Sequence, residues 1–576
     1  MTNQSNLVVL KFGSSVLQSE ADLASVVHEI YRHWREGVRV VAVVSAVGNT
    51  TDELLRQAQR ICAQPESAAS ATLLATGEAA SSALLSLALT RSGIPVRLLD
   101  AVQVGLRTAG GHMDANPVSI DAARLLEATR CEVVVLPGFV GRGEDGDTTL
   151  LGRGGSDYSA LYLAQQLRAQ CVLLKDIDGL YTTDPASTSI RPSRFIQASY
   201  DTALRVGGKV VQQKAVRFAA ANRLHFSITS IGSSRVTNIG PVVDRLDSSD
   251  NCSPPLQIAL LGCGTVGSGV YQRLAALPDL FTVTGVGVRK GDRARSIGVP
   301  EHLITSDLEA LVERPCDVVV ELIGGTKRAA SLTEWALRLG RDVVSANKAL
   351  LSFKAEDLER LAADGRAELR YSAAVGGSLP AFETIKRARA IGRVKAFSAV
   401  LNGTCNYILD RLSGGASVNS AIRAAQDEGY AEADPTLDLS GIDAAQKLLL
   451  LVRAAFDVNL RLESVTRKGI EGLDEERLKN AHKRGKTVRL IAQCSRSGND
   501  LEASVKPVEL PLTNPLAKPR GVENRLIVET ENGHRLIVSG KGAGCWPTTE
   551  AVMADLFDLR RSPSAAQLSD LEVRVA

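Results

Sequence analysis

Three groups of residues in this sequence have the types and spacing to do chemistry. The first is Gly262-x-Gly264-x-x-Gly267, which closes an apolar run of strand length and opens a helical pattern over 266–277. Gly262 allows the tight turn, Gly264 lets backbone approach a pyrophosphate, and Gly267 lets helix pack close to strand. The phosphates then meet the free N–H groups of a helix N-terminus, so Gly262, Gly264, Thr265, Val266 and Gly267 are candidate dinucleotide contacts. The second group is Glu432, Asp438, Asp443 and Lys447. Asp443 and Lys447 are four residues apart, which stacks them on one helix face, where a carboxylate can hold and charge-stabilise an ammonium. The third is spread over the first half. Lys11 stands beside a glycine turn, Glu78 follows Thr76-Gly77, Arg153-Gly-Gly-Ser156-Asp157 forms a glycine-rich cradle, and Lys175-Asp176 leads into Asp178-Gly179. Cations, a backbone cradle and paired aspartates suit phosphoryl transfer, which needs positioning and charge neutralisation. The absence of GxxxxGK[ST] excludes a P-loop enzyme.

The elements that must position these groups alternate. The pattern predicts a strand over 7–11, a helix over 20–34, a strand over 38–45 and a helix over 52–62, a βαβα rhythm that implies a mostly parallel sheet covered on both faces. In such sheets ligands bind beyond the carboxyl ends of the strands, where Lys11 and Ser45 lie. After the glycine turn a second strand over 281–288 ends in Arg289-Lys290. Two cations there favour the 2′-phosphate of NADP, and Asp292 nearby leaves NAD as the alternative. A buried strand over 316–323, the turn Gly324-Gly325, a helix over 329–339 and a strand over 342–345 follow, and the last ends in Ala346-Asn347-Lys348, aiming Lys348 at the cofactor cleft. Leu439, Ile442, Leu448 and Leu450 around Asp443 and Lys447 mark a helix over 442–455 that enters a core.

At 576 residues the chain is too long for one core. Its 67 basic and 64 acidic residues are spread along the whole length, so no basic stripe suits nucleic acid. The N-terminus has no charged and apolar leader pattern, and no run reads as long enough to span a bilayer, which predicts a cytoplasmic protein without a membrane partner. Nine scattered cysteines without CxxC indicate neither a disulfide framework nor a zinc site. The turn-rich stretch 233–255, ending in Pro254-Pro255, reads as a linker with one last strand near 241–244.

Residues 7–232, on the motifs Lys11-Phe-Gly, Ala75-Thr-Gly77-Glu78, Arg153-Gly-Gly-Ser156-Asp157, Lys175-Asp176-Ile-Asp178-Gly and Gly207-Gly-Lys209, resemble the catalytic domain of aspartokinase within the amino-acid kinase family. The resemblance implies that Lys11 stabilises the phosphate in flight and that Thr50, Glu78, Arg153 and Ser156 hold aspartate. It further implies that Asp157 orients the site, that Lys175, Asp176, Tyr181 and Lys209 contact ATP, and that Mg2+ enters with the nucleotide. Two positions depart from the family pattern. Ser14 stands where a second glycine is usual, bringing a Cβ that could crowd the phosphate, and Lys175 replaces a threonine or serine. The paired regulatory domains that generally follow an aspartokinase have no room before residue 256, so feedback inhibition through them is not expected.

From residue 256 to about 560 the chain resembles homoserine dehydrogenase, on the motifs Tyr371-Ser-Ala-Ala-Val-Gly-Gly-Ser-Leu-Pro380, Leu401-Asn-Gly-Thr-Cys-Asn-Tyr407, Gly429-Tyr-Ala-Glu432 through Lys447, and Gly540-Lys-Gly-Ala-Gly-Cys-Trp-Pro-Thr548. This resemblance implies that Lys447 donates a proton to the aldehyde oxygen, assisted by Lys348. Glu432 and Asp443 would bind the substrate ammonium and hydroxyl, with Asp438 in support, and the return loop with Gly542 would pack on the nucleotide domain. It also implies a sodium ion on the backbone of Val375, Gly377 and Leu379, although Ser372 stands where the family has an acid, and a strand-rich sheet that builds a dimer or higher homo-oligomer.

The expected architecture is α/β throughout: an amino-acid-kinase-type αβα domain over 1–235, a linker over 236–255, a Rossmann domain over 256–385 completed by 541–576, and an α+β substrate and dimerisation domain over 386–540. The expected function is phosphorylation of aspartate in the first half and NADP-dependent reduction of aspartate semialdehyde to homoserine in the second, on the way to threonine and methionine. The alternatives are a first half that only binds a ligand, and an NADP oxidoreductase acting on another small amino-acid aldehyde.

Overall fold

The structure, a computed structural model, describes residues 6–561 except 131, 186–191, 209, 248–253, 474 and 499. The chain divides into two compact units, Met1–Ser253 and Pro254–Ala576.

The first unit is built on one nine-stranded sheet. Its strands are β1 (Leu7–Phe12), β2 (Arg39–Val44), β3 (Val96–Leu98), β4 (Val133–Pro137), β5 (Gln170–Lys175), β6 (Phe195–Ser199), β7 (Phe226–Ser230), β8 (Thr237–Gly240) and β9 (Arg245–Leu246), in the order β9-β6-β8-β7-β5-β1-β2-β4-β3. The central strands are continuous apolar runs because both faces are covered. β1 is buried at every residue and pairs in parallel with β2 and β5. Helices α1 (Ser67–Arg91) and α2 (Gly155–Leu167) pack against this sheet. A small second sheet, Asp114–Ser119, Arg107–Gly111, Val140–Arg142 and Thr148–Leu150, is tied down by Lys214, whose Nζ donates to Asp114 Oδ1 at 2.5 Å and to Ala115 O and Leu151 O at 3.0 Å.

Two expectations need correction here. The stretch expected to be a linker carries two strands of the main sheet, β8 and β9, on either side of the predicted one. Pro241, which has no N–H to give a ladder, begins a turn instead, and Asp244 accepts from Ser199 N at 2.6 Å and Thr202 Oγ1 at 2.5 Å. Helix α1 is, by length and apolarity, a candidate membrane span that the sequence reading did not register. Glu78 and Gly77 on its buried face, with neighbouring Leu74 and Leu85, place it among the core helices of this unit.

The second unit contains a wholly parallel sheet of β10 (Leu256–Leu261), β11 (Phe281–Gly287), β12 (Ile304–Thr305), β13 (Val318–Glu321), β14 (Asp342–Ser345) and β15 (Leu369–Arg370), in the order β12-β11-β10-β13-β14-β15. The order reverses at β10, so the ends of β10 and β13 form the crevice where this class of sheet binds ligands. Helix α3 (Thr265–Ala275) leaves β10, and α4 (Lys348–Gly365) leaves β14. A six-stranded sheet follows, formed by β16 (Val394–Val400), β17 (Thr466–Arg467), β18 (Lys486–Ser497), β19 (Asp500–Pro511), β20 (Glu523–Thr530) and β21 (Arg535–Lys541), in the order β17-β19-β18-β16-β20-β21. Helices α5 (Gly403–Ser413) and α6 (Ile442–Phe456) pack on it, and the chain returns to the parallel sheet through α7 (Cys545–Arg561). The return is fixed by a buried ion pair between Arg273 and Glu550 and by the edge-to-face rings of Phe281 and Phe557, whose centroids are 5.0 Å apart.

The glycines of the first turn have separable tasks. A Cβ at Gly267 would lie 2.1 Å from Gly262 O, and one at Gly262, where φ is +104°, would lie 2.6 Å from Leu322 O, whereas one at Gly264 meets nothing within 4 Å. Gly267→Ala is therefore expected to lower stability by about 1–3 kcal/mol in denaturant unfolding. Gly264→Ala is expected to unfold like the wild type while weakening dinucleotide binding, read by fluorescence titration. Equal stability losses in the two variants would contradict this division.

Candidate functional site

Helix α6 begins after Gly441, held at φ +77°, and its first two turns carry Asp443 and Lys447 inward, where both are buried. Lys447 Nζ lies 3.0 Å from Asp443 Oδ2 and donates to Leu401 O at 2.9 Å. An ammonium has three donors, so this leaves one unspent. Lys348, the first residue of α4, brings its Nζ to 2.5 Å from Asp443 Oδ1. Asn402, at the end of β16, donates from Nδ2 to Asp443 Oδ2 at 2.8 Å and to Asp438 Oδ1 at 2.6 Å. Asp443 is thus enclosed by two ammonium groups and an amide, while Asp438 keeps its other oxygen without a partner among the described residues. Glu432 is exposed on the preceding loop, near enough to add to the field at Lys348.

The charges sort these groups electrostatically. Burial alone would raise the Asp443 carboxyl, but Lys447 and Lys348 outweigh it and hold it well below the usual carboxylate range. Burial, reinforced by the Asp443 charge, pushes Asp438 up. Burial also pushes Lys447 down, helped by Lys348 and opposed by Asp443, whereas for Lys348 the Asp443 charge overcomes burial and the ammonium is raised. The result is one ammonium kept charged and a second eased toward giving up its proton.

Beside this cluster lies the glycine turn. Space opens above Gly264, the exposed Thr265 and half-buried Val266 begin α3, and Cys545 Sγ donates to Thr265 O at 2.9 Å, pinning the return loop to the turn. Gly542 packs on Asn524, since a Cβ there would collide with that amide. Arg289 and Lys290 are exposed after β11 and have no ion pair among the described residues, whereas Asp292 bonds Arg295 at 3.3 Å. Arg293, which the sequence reading passed over, donates from Nε to Ser268 Oγ at 2.9 Å on the first turn of α3. Glu321 was also missed. It is fully buried at the end of β13, accepts from Ser345 Oγ at 2.7 Å and Ile323 N at 3.1 Å, and lies 3.4 Å from Asn347 Nδ2, which caps α4 and so sets the root of Lys348. The carboxyl ending a hydrophobic strand was the available signal. The backbone of Val375, Gly377 and Leu379 joins the return loop, where Ser378 N donates to Lys541 O at 3.1 Å. Ser372 Oγ donates to Glu383 Oε1 at 3.2 Å. Among the described residues no three His, Cys, Asp or Glu side chains cluster as metal ligands.

In the first unit a cavity of about 1140 Å³ opens at the carboxyl ends of β1, β2 and β5. Lys11, Ser14, Glu78, Arg153, Ser156, Asp157, Lys175, Asp176 and Tyr181 line it together. Asp157 is buried between two ammonium groups: Lys11 Nζ is 2.8 Å from Oδ1, and Lys175 Nζ is 3.1 and 3.0 Å from the two oxygens. Burial is overcome by both lysines, which bring Asp157 down to about 2, while burial brings Lys175 down to about 8 against the pull of Asp157. The departure at 175 therefore has a partner. Ser14 is exposed on the cavity wall with an ordinary backbone, so its Cβ strains nothing. Arg153 is exposed and carries no ion pair among the described residues, and Glu78 Oε2 is buried without a hydrogen bond. The Thr50 hydroxyl donates to Val47 O at 2.6 Å at the helix start and keeps its acceptor lone pairs, while its neighbours Asn49 and Thr51 line the cavity. Lys209 lies outside the described residues.

Comparison with known proteins agrees with this division. Residues 6–230 match the amino acid kinase family, residues 262–372 the NAD binding domain of homoserine dehydrogenase, and residues 380–557 homoserine dehydrogenase itself. The homoserine dehydrogenase of Mycobacterium tuberculosis is 38% identical over 323 residues, which are 54% of this chain and 73% of that protein. That of Synechocystis sp. is 35% identical over 316 residues, 53% of this chain and 73% of that protein. The crystal structure of a homoserine dehydrogenase from Thiobacillus denitrificans has a TM-score of 0.51 at 33% identity, covering 53% of this chain and 73% of its own.

Glu78 gives the first unit a pH signature. Burial raises its carboxyl from 4.5 to about 7, opposed in part by the Ala46 N–H and by Lys11. A carboxyl raised on folding costs nothing below its unfolded value, and stability is lost as pH climbs from there through the folded value. Wild type is expected to lose up to about 3 kcal/mol between about pH 4.5 and 8, and Glu78→Gln to lose little. Denaturant unfolding of both proteins across that range checks it, and parallel pH curves would refute the assignment.

Proposed function

The chain belongs to the homoserine dehydrogenase family and carries an amino acid kinase domain ahead of it, and from that premise we propose a bifunctional enzyme of amino-acid biosynthesis. In this reading the second unit reduces aspartate 4-semialdehyde to homoserine with NADPH, and the first phosphorylates L-aspartate with ATP. The observation that carries the dehydrogenase half is the ion-pair array Lys348–Asp443–Lys447, in which the starts of α4 and α6 bring a half-exposed and a buried ammonium onto one buried carboxylate.

NADPH, when bound over the glycine turn, supplies the hydride. Arg289 and Lys290, without ion pairs among the described residues, favour the 2′-phosphate, and Asp292 already accepts from Arg295 Nη1 at 3.3 Å. Lys447, with one N–H left over from Leu401 O and Asp443, gives its proton to the carbonyl oxygen as the carbon is reduced. Lys348 keeps the neighbouring positive charge, so Asp443 stays anionic as Lys447 becomes neutral. Glu432 and the open oxygen of Asp438 take the substrate ammonium and the forming hydroxyl. The Val375–Leu379 backbone and Glu383 offer oxygen atoms that suit a sodium ion in a supporting place. The six-stranded sheet of this unit serves a homo-oligomer.

In the first unit, Lys11 and Lys175 share Asp157 and present two ammonium groups to the phosphates of ATP, which brings Mg2+. Arg153 pairs with the carboxylate of aspartate, Glu78 accepts from its ammonium, and Ser156 lines the same cavity. Asp176 and Tyr181, on the cavity wall, face the nucleotide. The two reactions are not consecutive, because the acyl phosphate made by the first must be reduced by another enzyme before the second can act.

Lys447→Ala is expected to lower NADPH oxidation with aspartate semialdehyde by about 10²–10⁴-fold with binding of NADPH retained. A variant as fast as the wild type would remove the assigned acid. For the first unit, Lys11→Ala is expected to abolish aspartate-dependent ATP turnover. Equal turnover in both proteins would leave this unit as a ligand-binding module.

A further inference from the structure

We infer that Asn402 is a positioning residue for the reduction: a single amide that fixes Asp438 and Asp443 against each other and against Lys447. The inference rests on the dehydrogenase reading above and extends it to a residue with no assigned role.

Three features of the geometry carry it. Asn402 is almost fully buried, and every hydrogen-bonding group of its side chain is spent. Oδ1 accepts from Cys405 N at 2.7 Å as the cap of α5, and Nδ2 donates to Asp438 Oδ1 at 2.6 Å and Asp443 Oδ2 at 2.8 Å. Because Cys405 N can only donate, the amide cannot flip, and its two N–H groups must face the two acids. The preceding residue completes the arrangement, since Leu401 O is the acceptor that orients Lys447. Two consecutive residues at the end of β16 therefore hold the proton donor through the main chain and both acids through one side chain.

Two carboxylates this close resist ionising together. Among the described residues the groups acting on Asp438 are Asp443 and Lys447 from α6, Lys348 from α4, and the Cys405 thiol of α5, which donates to Asp438 O at 3.1 Å and is held neutral by burial. Both lysines are already committed to Asp443. Asn402 is the only hydrogen bond to the Asp438 carboxylate among the described residues. Its amide steadies the anion without adding a charge that would compete with the substrate ammonium, and it leaves the second oxygen of Asp438 open.

Ser and Asp both keep an acceptor for the helix cap, so Asn402→Ser and Asn402→Asp separate capping from positioning. In each, kcat/KM for aspartate semialdehyde is expected to fall roughly tenfold to a hundredfold, the scale of one or two hydrogen bonds to charged groups. The acid limb of the pH profile is expected to move upward, further in Asn402→Asp, where a third carboxylate faces Asp438. NADPH binding is expected to stay near wild type in both variants and thermal unfolding near wild type in Asn402→Ser, while the third buried carboxylate of Asn402→Asp is expected to lower its unfolding temperature. Unchanged kcat/KM and pH limb in a folded variant, or a loss of activity that follows lost stability with no shift of the limb, overturns the inference. The parent reading is tested separately: if Lys447→Ala is inactive while both Asn402 variants behave like wild type, only the positioning role fails.

Discussion

A buried aspartate held between two lysines is the interaction on which both halves of this chain depend. In the second unit Asp443 is clamped by Lys348 and Lys447, and in the first Asp157 is clamped by Lys11 and Lys175. Each trio carries one surplus positive charge; the first is buried throughout, whereas in the second Asp443 and Lys447 are buried and Lys348 stays 41% exposed. Removing two ammonium groups and a carboxylate from water costs several kcal/mol apiece, and only close geometry with further hydrogen bonds offsets that cost. A fold aiming at stability alone would fill such positions with apolar side chains. The charges that remain face open crevices, where developing or arriving negative charge can use the surplus.

The constraint explains where the elements stop. Lys11 and Lys175 sit on adjacent strands, β1 and β5, at the edge where the sheet gives way to loops, and Asp157 enters from the first turn of α2. Lys348 begins α4 directly after β14, and Asp443 and Lys447 enter from the first turns of α6. In both units a strand end and a helix start meet, so each charge leaves a rigid element and few torsions remain to be fixed. Glycines with positive φ allow these abrupt joins, as Gly154 does before α2 and Gly441 before α6. Asn347 and Glu321 extend the same logic behind Lys348, by locking the loop from which its helix grows.

Much of this was legible in the sequence. The strand, glycine and helix order at 256–267 requires a dinucleotide turn because each glycine answers a different steric demand, and continuous Val-rich runs such as Val318–Glu321 are compatible with a parallel sheet covered on both faces. The four-residue spacing of Asp443 and Lys447 fixes their shared helix face. The strands flanking Pro241 were harder to read, because Thr237–Gly240 and Arg245–Leu246 are short and both pair with β6, some forty residues earlier, even though β8 also pairs locally with β7. Thr50 was assigned to aspartate by the family resemblance alone, and only the fold shows that its hydroxyl proton goes to Val47 O.

The sequence by itself determined two α/β units, the glycine turn, and the residue types at both sites, since these follow from local periodicity and from the chemistry of single side chains. Tertiary structure alone decided who partners whom. Nothing local shows that Lys175 meets an aspartate 18 positions earlier, that Asn402 spans two acids 36 and 41 positions away, or that Glu321 is sealed behind Ser345 and Asn347. Such pairings depend on how strands and helices from remote segments stack. In a desolvated site that stacking sets which groups are ionised, and so which ammonium can part with a proton.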